Sequence, residues 1–105
     1  MMDNNSNGYK YHIYDWMLTQ LGLTYTDLYV YAVIYDVSRT GTDFSESISF
    51  LCKRTNASKS TIIRALKELV DKKYILKTQK NDNRKPIVTY RHNESILKMK
   101  GIHWI

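Results

Sequence analysis

The sequence predicts a mostly helical α+β domain in which the helices come first and a β-hairpin follows. Apolar residues recur at helical spacing through the first two thirds of the chain, most densely over residues 28–37. Beyond residue 73, two runs rich in β-branched residues flank a polar stretch that has turn chemistry. With 105 residues, the chain is long enough for one domain with a modest core.

The predicted domain occupies residues 9–93, between two shorter parts. Residues 1–8 are polar and rich in asparagine, which is typical of a disordered tail. Residues 94–105 form a C-terminal extension with a short helix over 93–100 and an apolar end, and they are a candidate dimerisation element. The same apolar end would also suit packing against the first helix, or the start of a longer protein.

Two helices are predicted before residue 40. Four apolar residues at helical spacing predict the first over residues 9–21, with Gly22 ending it. Trp16 is interpreted as a core or interface anchor in preference to a ligand-stacking residue. Thr24 and Asp27 resemble a capping box at the start of the second helix. Residues 28–37 are nearly all apolar or tyrosine, so this helix is predicted to be central; their β-branched members would suit a strand, but the cap and the length favour a helix.

Residues 47–73 carry the pattern L-C-x-x-x-N-A-S-x-x-T-I-x-R-x-L at the spacing of a helix-turn-helix. Leu51 and Cys52 are predicted to face inward from its first helix, which Ser45 or Ser47 would cap. Asn56 occupies a turn position that needs positive φ, and asparagine is the best residue there after glycine. Ser58 is predicted to cap the second helix, over about residues 58–73.

The second helix of this motif is amphipathic. Its apolar face is predicted to contain Ile62, Ile63, Ala65, Leu66, Leu69 and Val70. The exposed side of its N-terminal half then carries five polar residues that suit contacts with base edges or phosphates: Lys59, Ser60, Thr61, Arg64 and Lys67. An ordinary helix with a solvated basic face is the alternative.

A basic hairpin is predicted over about residues 74–91, with strands at 74–80 and 87–91 and a loop between them. A short strand within residues 44–48 would pair with it. Lys77, Lys80, Arg84 and Lys85 are candidates for phosphate contacts. Basic residues also keep an edge hairpin soluble, but for Arg84 and Lys85 the phosphate role is preferred.

Charge is divided unevenly along the chain. Up to Cys52 there are two basic and six acidic residues, and from Lys53 onward there are fourteen basic and four acidic ones. The net charges of the two parts are therefore −4 and +10, which sum to the +6 of the whole chain. This distribution is typical of a face that binds a polyanion, although a merely solvated basic surface has the same composition.

Several kinds of site are not predicted. Cys52 is the only cysteine, and no metal-ligand spacing joins it to the three histidines, so neither a disulfide nor a metal site is expected. Cys52 is interpreted as a structural residue at a close helix crossing rather than a nucleophile. No nucleophile–base pair, glycine-rich phosphate loop or paired carboxylates indicate an enzyme, a cofactor or a small-molecule ligand. No signal peptide or membrane-length apolar run is present, so an intracellular protein is expected.

The pattern resembles the winged helix-turn-helix superfamily, and is similar to small phage and plasmid members such as the N-terminal domains of replisome organisers and replication initiators. The residues that carry it are Leu23-Thr24 before the tyrosine-rich helix, then Phe44 to Ile75, ending in A-L-K-E-L-V-D-K-K-Y-I. Two positions depart from the family, because Asn56 stands where glycine is usual and Lys73-Tyr74 where Lys-Gly is common.

The resemblance implies sequence-specific binding to double-stranded DNA, by a homodimer that contacts two half-sites. The role would be that of a transcriptional regulator or of the DNA-binding part of a replication initiator, in the cytoplasm at the nucleoid. The alternative is a protein–protein interaction module, for which the hot-spot candidates are aromatic: Tyr9, Tyr11, Tyr14, Trp16 and Trp104.

Overall fold

A computed structural model of the protein describes residues 12–82 and 85–102. Within these residues, four helices precede an antiparallel two-stranded hairpin and a fifth helix follows it. The elements are α1 (Asp15–Thr19), α2 (Tyr25–Ser38), α3 (Ile48–Thr55), α4 (Lys59–Asp71), β1 (Ile75–Asp82), β2 (Lys85–His92) and α5 (Glu94–Met99). This order confirms the predicted fold class. Residues 1–11, 83–84 and 103–105 lie outside the described part. They include the predicted tail over residues 1–8 and the predicted site residue Arg84.

α2 is the centre of the core, as predicted. All its residues from Val30 to Tyr35 are buried, and it packs against α1, α3, α4 and β2. A helix covered on most sides must be apolar on most sides, which explains its composition. The predicted capping box is wrong, because the Thr24 side chain makes no capping hydrogen bond. Tyr25, the first helical residue, has a φ of +50°, which departs from a regular first turn.

α1 is shorter than predicted and is held by aromatic packing. It begins at Asp15 and ends at Thr19. A helix of one turn is not stable by itself, so its position depends on tertiary contacts. The Trp16 ring lies edge-on to Tyr35 at 5.2 Å between centroids and stacks with Tyr14 at 6.0 Å. Trp16 is therefore a core anchor, as the sequence indicated.

The turn between α3 and α4 has the predicted geometry. Asn56 adopts the left-handed conformation, with φ 57° and ψ 33°. Ser58 caps α4, since its hydroxyl oxygen accepts a hydrogen bond from the Thr61 amide at 3.3 Å. Ser47 caps α3 in the same way and accepts from the Phe50 amide at 3.1 Å. These contacts span at most three residues, so the sequence pattern alone was sufficient to predict them.

Replacing Asn56 by alanine is expected to lower the free energy of unfolding by about 1 kcal/mol, because alanine keeps the Cβ that is crowded in the left-handed region and loses the short polar side chain that makes asparagine tolerant of it. Asn56→Gly is the matched control and is expected to lose nothing, since glycine has no Cβ. Urea denaturation of both variants measures the difference. Equal stability of the alanine and glycine variants would contradict the conformational requirement.

The hairpin strands are longer than predicted, and the predicted loop is correspondingly too long. Pairing runs from Ile75 opposite His92 to Asp82 opposite Lys85, so only residues 83 and 84 connect the strands. Pro86, which the prediction placed in the loop, lies in β2 opposite Asn81.

The short strand predicted within residues 44–48 is a single bridging residue, Phe44. The Phe44 and Tyr90 backbones exchange two hydrogen bonds, of 2.7 and 2.9 Å. The segment continues no further as a strand because Ser47 already caps α3. A second tie lies beside the bridge, where the Arg91 guanidinium donates to the Asp43 carboxylate at 2.7 and 2.8 Å. Together these contacts attach the hairpin to the chain that enters α3.

α5 adds to the domain's own core. Asn93 caps it, since its side-chain oxygen accepts a hydrogen bond from the Ser95 amide at 3.1 Å. Leu97 and Ile102 are both buried in the cluster that contains α2. Its part in dimerisation stays a prediction. In the described ranges, no helix has the length and apolar character needed to cross a membrane.

Candidate nucleic-acid interface

One side of α4 is anchored in the core and the other faces solvent. Successive residues are about 100° apart around a helix, so positions three and four apart share a side. Ile62, Leu66 and Leu69 are buried against the rest of the domain, with Ala65 between them. The opposite side carries residues 60, 64, 67 and 71, all exposed. The buried stripe fixes the orientation in which the exposed side is presented.

Four of the five site residues predicted on α4 are exposed. These are Lys59, Ser60, Arg64 and Lys67. Thr61 differs, because it is half-buried and its hydroxyl oxygen lies 2.8 Å from that of Ser58. The sequence grouped Thr61 with the outward residues, but the helix turns it towards the α2 side. Its hydroxyl is therefore engaged in the cap of its own helix.

Arg64 borders a pocket at the start of α2 that also contains two acidic residues, Asp27 and Glu68. Burial raises the pKa of the Asp27 carboxyl, and a hydrogen bond with Glu68 and the negative charge of Glu68 raise it further. The positive charges of Lys72 and Arg64 act in the opposite direction. The carboxyl groups of Asp27 and Glu68 therefore lie beside Arg64 in the pocket. The part of Arg64 that is exposed to solvent remains available to a ligand.

Lys67 is paired only weakly. Its ammonium nitrogen lies 3.5 Å from the Asp71 carboxylate, and both side chains are mostly exposed. Such a surface pair one helical turn apart contributes less than about 1 kcal/mol. A phosphate could therefore replace Asp71 at little cost.

The predicted hairpin residues lie on different faces of the hairpin. Side chains alternate along a strand, and the register places Lys80 and Lys85 on the face opposite Tyr90. Both lysines are exposed, and among the described residues no hydrogen bond or ion pair joins either of them to α4. Arg84 is outside the described residues. The structure thus brings the α4 residues together and leaves Lys80 and Lys85 on a separate surface.

Lys77 is the hairpin lysine that lies beside α4. It shares the Tyr90 face, and both residues line an open groove of about 460 Å³ between the hairpin and α4. Lys67 lines the same groove from the helix. Strand alternation was the signal that could have separated Lys77 from Lys80, because Lys77 has the parity of the buried Ile75.

Ile63 was assigned to the wrong face. The sequence grouped it with the buried stripe, but 47% of its surface is exposed and it lines the groove on the α4 side. Ile62 beside it is fully buried. Adjacent residues lie about 100° apart around a helix, and packing against α2 buries Ile62 and leaves Ile63 at the edge of the buried stripe.

Cys52 is only half-buried, so the expectation of a buried site was wrong. Its position in α3 is otherwise as predicted. In the part of the chain that the structure describes, no group of three or more His, Cys, Asp or Glu side chains is arranged to hold a metal ion.

The arrangement suits binding to a duplex polyanion. α4 has 13 residues, which gives a length of about 20 Å, and the major groove of B-DNA is about 12 Å wide and admits an α-helix. Three exposed cationic residues, Lys59, Arg64 and Lys67, lie in its N-terminal and middle turns. The long side chains of lysine and arginine can reach phosphates and the acceptor atoms of guanine.

A family model described as a helix-turn-helix domain matches residues 21–75, from the end of the α1 segment to the first residue of β1. No match was found among curated proteins, and none among solved structures. The matched segment contains α2, α3, the turn at Asn56 and the whole of α4.

Proposed function

This chain belongs to the helix-turn-helix domain family, and on that premise we propose that it binds specific sequences of double-stranded DNA. α4 is the recognition helix and enters the major groove. The hairpin is the wing and lies against the sugar–phosphate backbone. The helix identifies the site, and the wing adds affinity that depends little on sequence.

The observation that carries this proposal is the outward side of α4. Its cationic and polar side chains are exposed, and the opposite side of the helix is fully buried. The capped turn at Asn56 and Ser58 sets the angle at which the helix leaves α3. A rigid helix that presents donors outward is what direct contact with base edges requires.

The residues have distinct roles in this proposal. Lys59, Ser60 and Arg64 contact base edges. Thr61 contributes to DNA binding from its position beside Ser58, which caps α4. Lys67 contacts phosphate. On the wing, Lys80, Arg84 and Lys85 contact the sugar–phosphate backbone. Because Lys80 and Lys85 lie on a surface separate from α4, the phosphates they contact are not those beside the recognition helix.

Two copies of the protein bind together in this proposal, each on one half-site. Half-sites read by a symmetric dimer repeat at about 10 base pairs, or a multiple of that spacing. The protein acts at the nucleoid in the cytoplasm, as a transcriptional regulator or as the DNA-binding part of a phage- or plasmid-type replication initiator. The resemblance of Phe44 to Ile75 to those proteins supports this role.

Selection of duplexes from a random library, followed by binding titrations at several salt concentrations, tests the proposal. We expect one enriched motif with two-fold symmetry, and a logarithmic salt dependence with a slope of about −0.9 for each phosphate contact. A duplex with the same composition in scrambled order is the control. Enrichment of no motif would contradict sequence-specific binding.

A protein–protein interaction module is the alternative function. Two of its predicted hot spots, Tyr14 and Trp16, pack against Tyr35 within the domain, which leaves less of their surface for a partner. Tyr9, Tyr11 and Trp104 lie outside the described residues. Absence of binding to random duplex DNA at low salt and micromolar protein would favour this alternative.

A further inference from the structure

An apolar side chain stands in the cationic surface of α4. Ile63 is 47% exposed, although isoleucine is among the residues most often fully buried. Its neighbours one turn away on the same side are Lys59 and Lys67, both exposed. Ile62, and not Ile63, is the isoleucine of this turn that is fully buried in the core.

The position of Ile63 on α4 points it along the edge of the surface that would face DNA. It lies one residue before Arg64 and three after Ser60, the residues proposed to contact bases. On its other side is the open groove towards Lys77 and Tyr90, so about half of the Ile63 surface is open to solvent. A ligand that approaches the outward side of α4 therefore meets Ile63 together with the cationic residues around it.

The chemistry of the major groove provides one apolar partner for this side chain. Each base pair presents hydrogen-bond donors and acceptors there, and thymine alone among the four bases adds a methyl group, at C5. Contact between an aliphatic side chain and that methyl removes both from water. Lysines on either side supply the attraction to phosphate that brings the duplex to this surface.

We propose that Ile63 is a specificity-determining residue that contacts the C5 methyl group of a thymine in the major groove. The inference rests on the proposed DNA binding by α4 and adds a base preference to it. Arg64 and Ser60 then discriminate by hydrogen bonds, and Ile63 discriminates by apolar contact.

Deoxyuridine scanning of the selected duplex tests the inference. Replacing one thymine by deoxyuridine removes only the methyl group and leaves Watson–Crick pairing unchanged. For the wild-type protein, at least one such replacement is expected to weaken binding about three- to tenfold. This range corresponds to the loss of one buried methyl group and of some of the apolar contact around it. For Ile63→Ala, the same replacement is expected to have no effect, because the partner of the methyl is already absent.

Two controls separate this inference from the proposed function. Lys85→Ala is expected to bind all duplexes more weakly but to keep the wild-type ratio between thymine and deoxyuridine. Ile63→Val keeps a branched aliphatic group and is expected to retain part of that ratio. The thermal midpoint of Ile63→Ala, measured beside these titrations, shows that the variant is folded.

Three results would overturn the inference while DNA binding stands. They are a selected motif without thymine, wild-type affinity for every deoxyuridine duplex, and an undiminished ratio in Ile63→Ala. If the library instead yields no motif, the proposed function itself fails and the inference fails with it.

Discussion

Replacing Ile62 by alanine is expected to lower the free energy of unfolding by about 2–5 kcal/mol. Ile62 is fully buried in the cluster around α2, and alanine would leave a cavity beside that helix. Because small domains are stabilised by only about 5–15 kcal/mol in total, the loss is a large fraction of the stability. Urea denaturation followed by circular dichroism measures it as a lower midpoint.

Ile63→Ala is the matched control for this prediction. The two residues are adjacent and chemically identical, and they differ only in the side of α4 on which they lie. Because 47% of the Ile63 surface is exposed, Ile63→Ala is expected to lower the free energy of unfolding by less than about 1 kcal/mol. Similar losses in the two variants would contradict the orientation of α4 and, with it, the surface proposed to contact DNA.

Replacing Arg64 by alanine is expected to weaken binding to the selected duplex about 5- to 150-fold, which corresponds to about 1–3 kcal/mol. The guanidinium group is exposed on the outward side of α4, where it can donate two hydrogen bonds to a guanine edge. Its loss is also expected to relax the base preference at one position. Titrations against the selected duplex and its single-base variants measure both effects.

Two substitutions distinguish a base contact by Arg64 from a charge effect. Arg64→Lys keeps the positive charge but loses the planar guanidinium group. Compared with Arg64→Ala, it is therefore expected to bind all sequences more tightly without restoring the base preference. Lys85→Ala is expected to weaken all sequences alike and to make the salt slope shallower by about one. An Arg64→Ala protein that binds the selected duplex as the wild type does would show that α4 is not the recognition helix.

Much of the fold follows from local sequence. The left-handed turn at Asn56, the cap at Ser58 and the helical character of residues 28–37 depend on contacts within one or two turns of chain. The hydrogen bond of a cap and the spacing of apolar residues involve only residues close together in the chain, so a short stretch of sequence can indicate them. The hairpin was also predictable, but its strand ends were not, since Pro86 is as compatible with a strand near a turn as with a loop.

The orientation of side chains at the boundary of the core was decided only by the tertiary structure. The 3.6-residue repeat leaves Ile63 at the edge of the apolar stripe of α4, and packing against α2 determines that Ile62 is buried instead. Thr61 turns towards α2 for the same reason. Strand alternation alone places Lys77 and Lys80 on opposite faces of the hairpin, but which of the two faces is turned towards α4 depends on how the hairpin is attached through Phe44 and Tyr90. A contact between elements distant in the chain sets each of these outcomes, so no short stretch of sequence contains it.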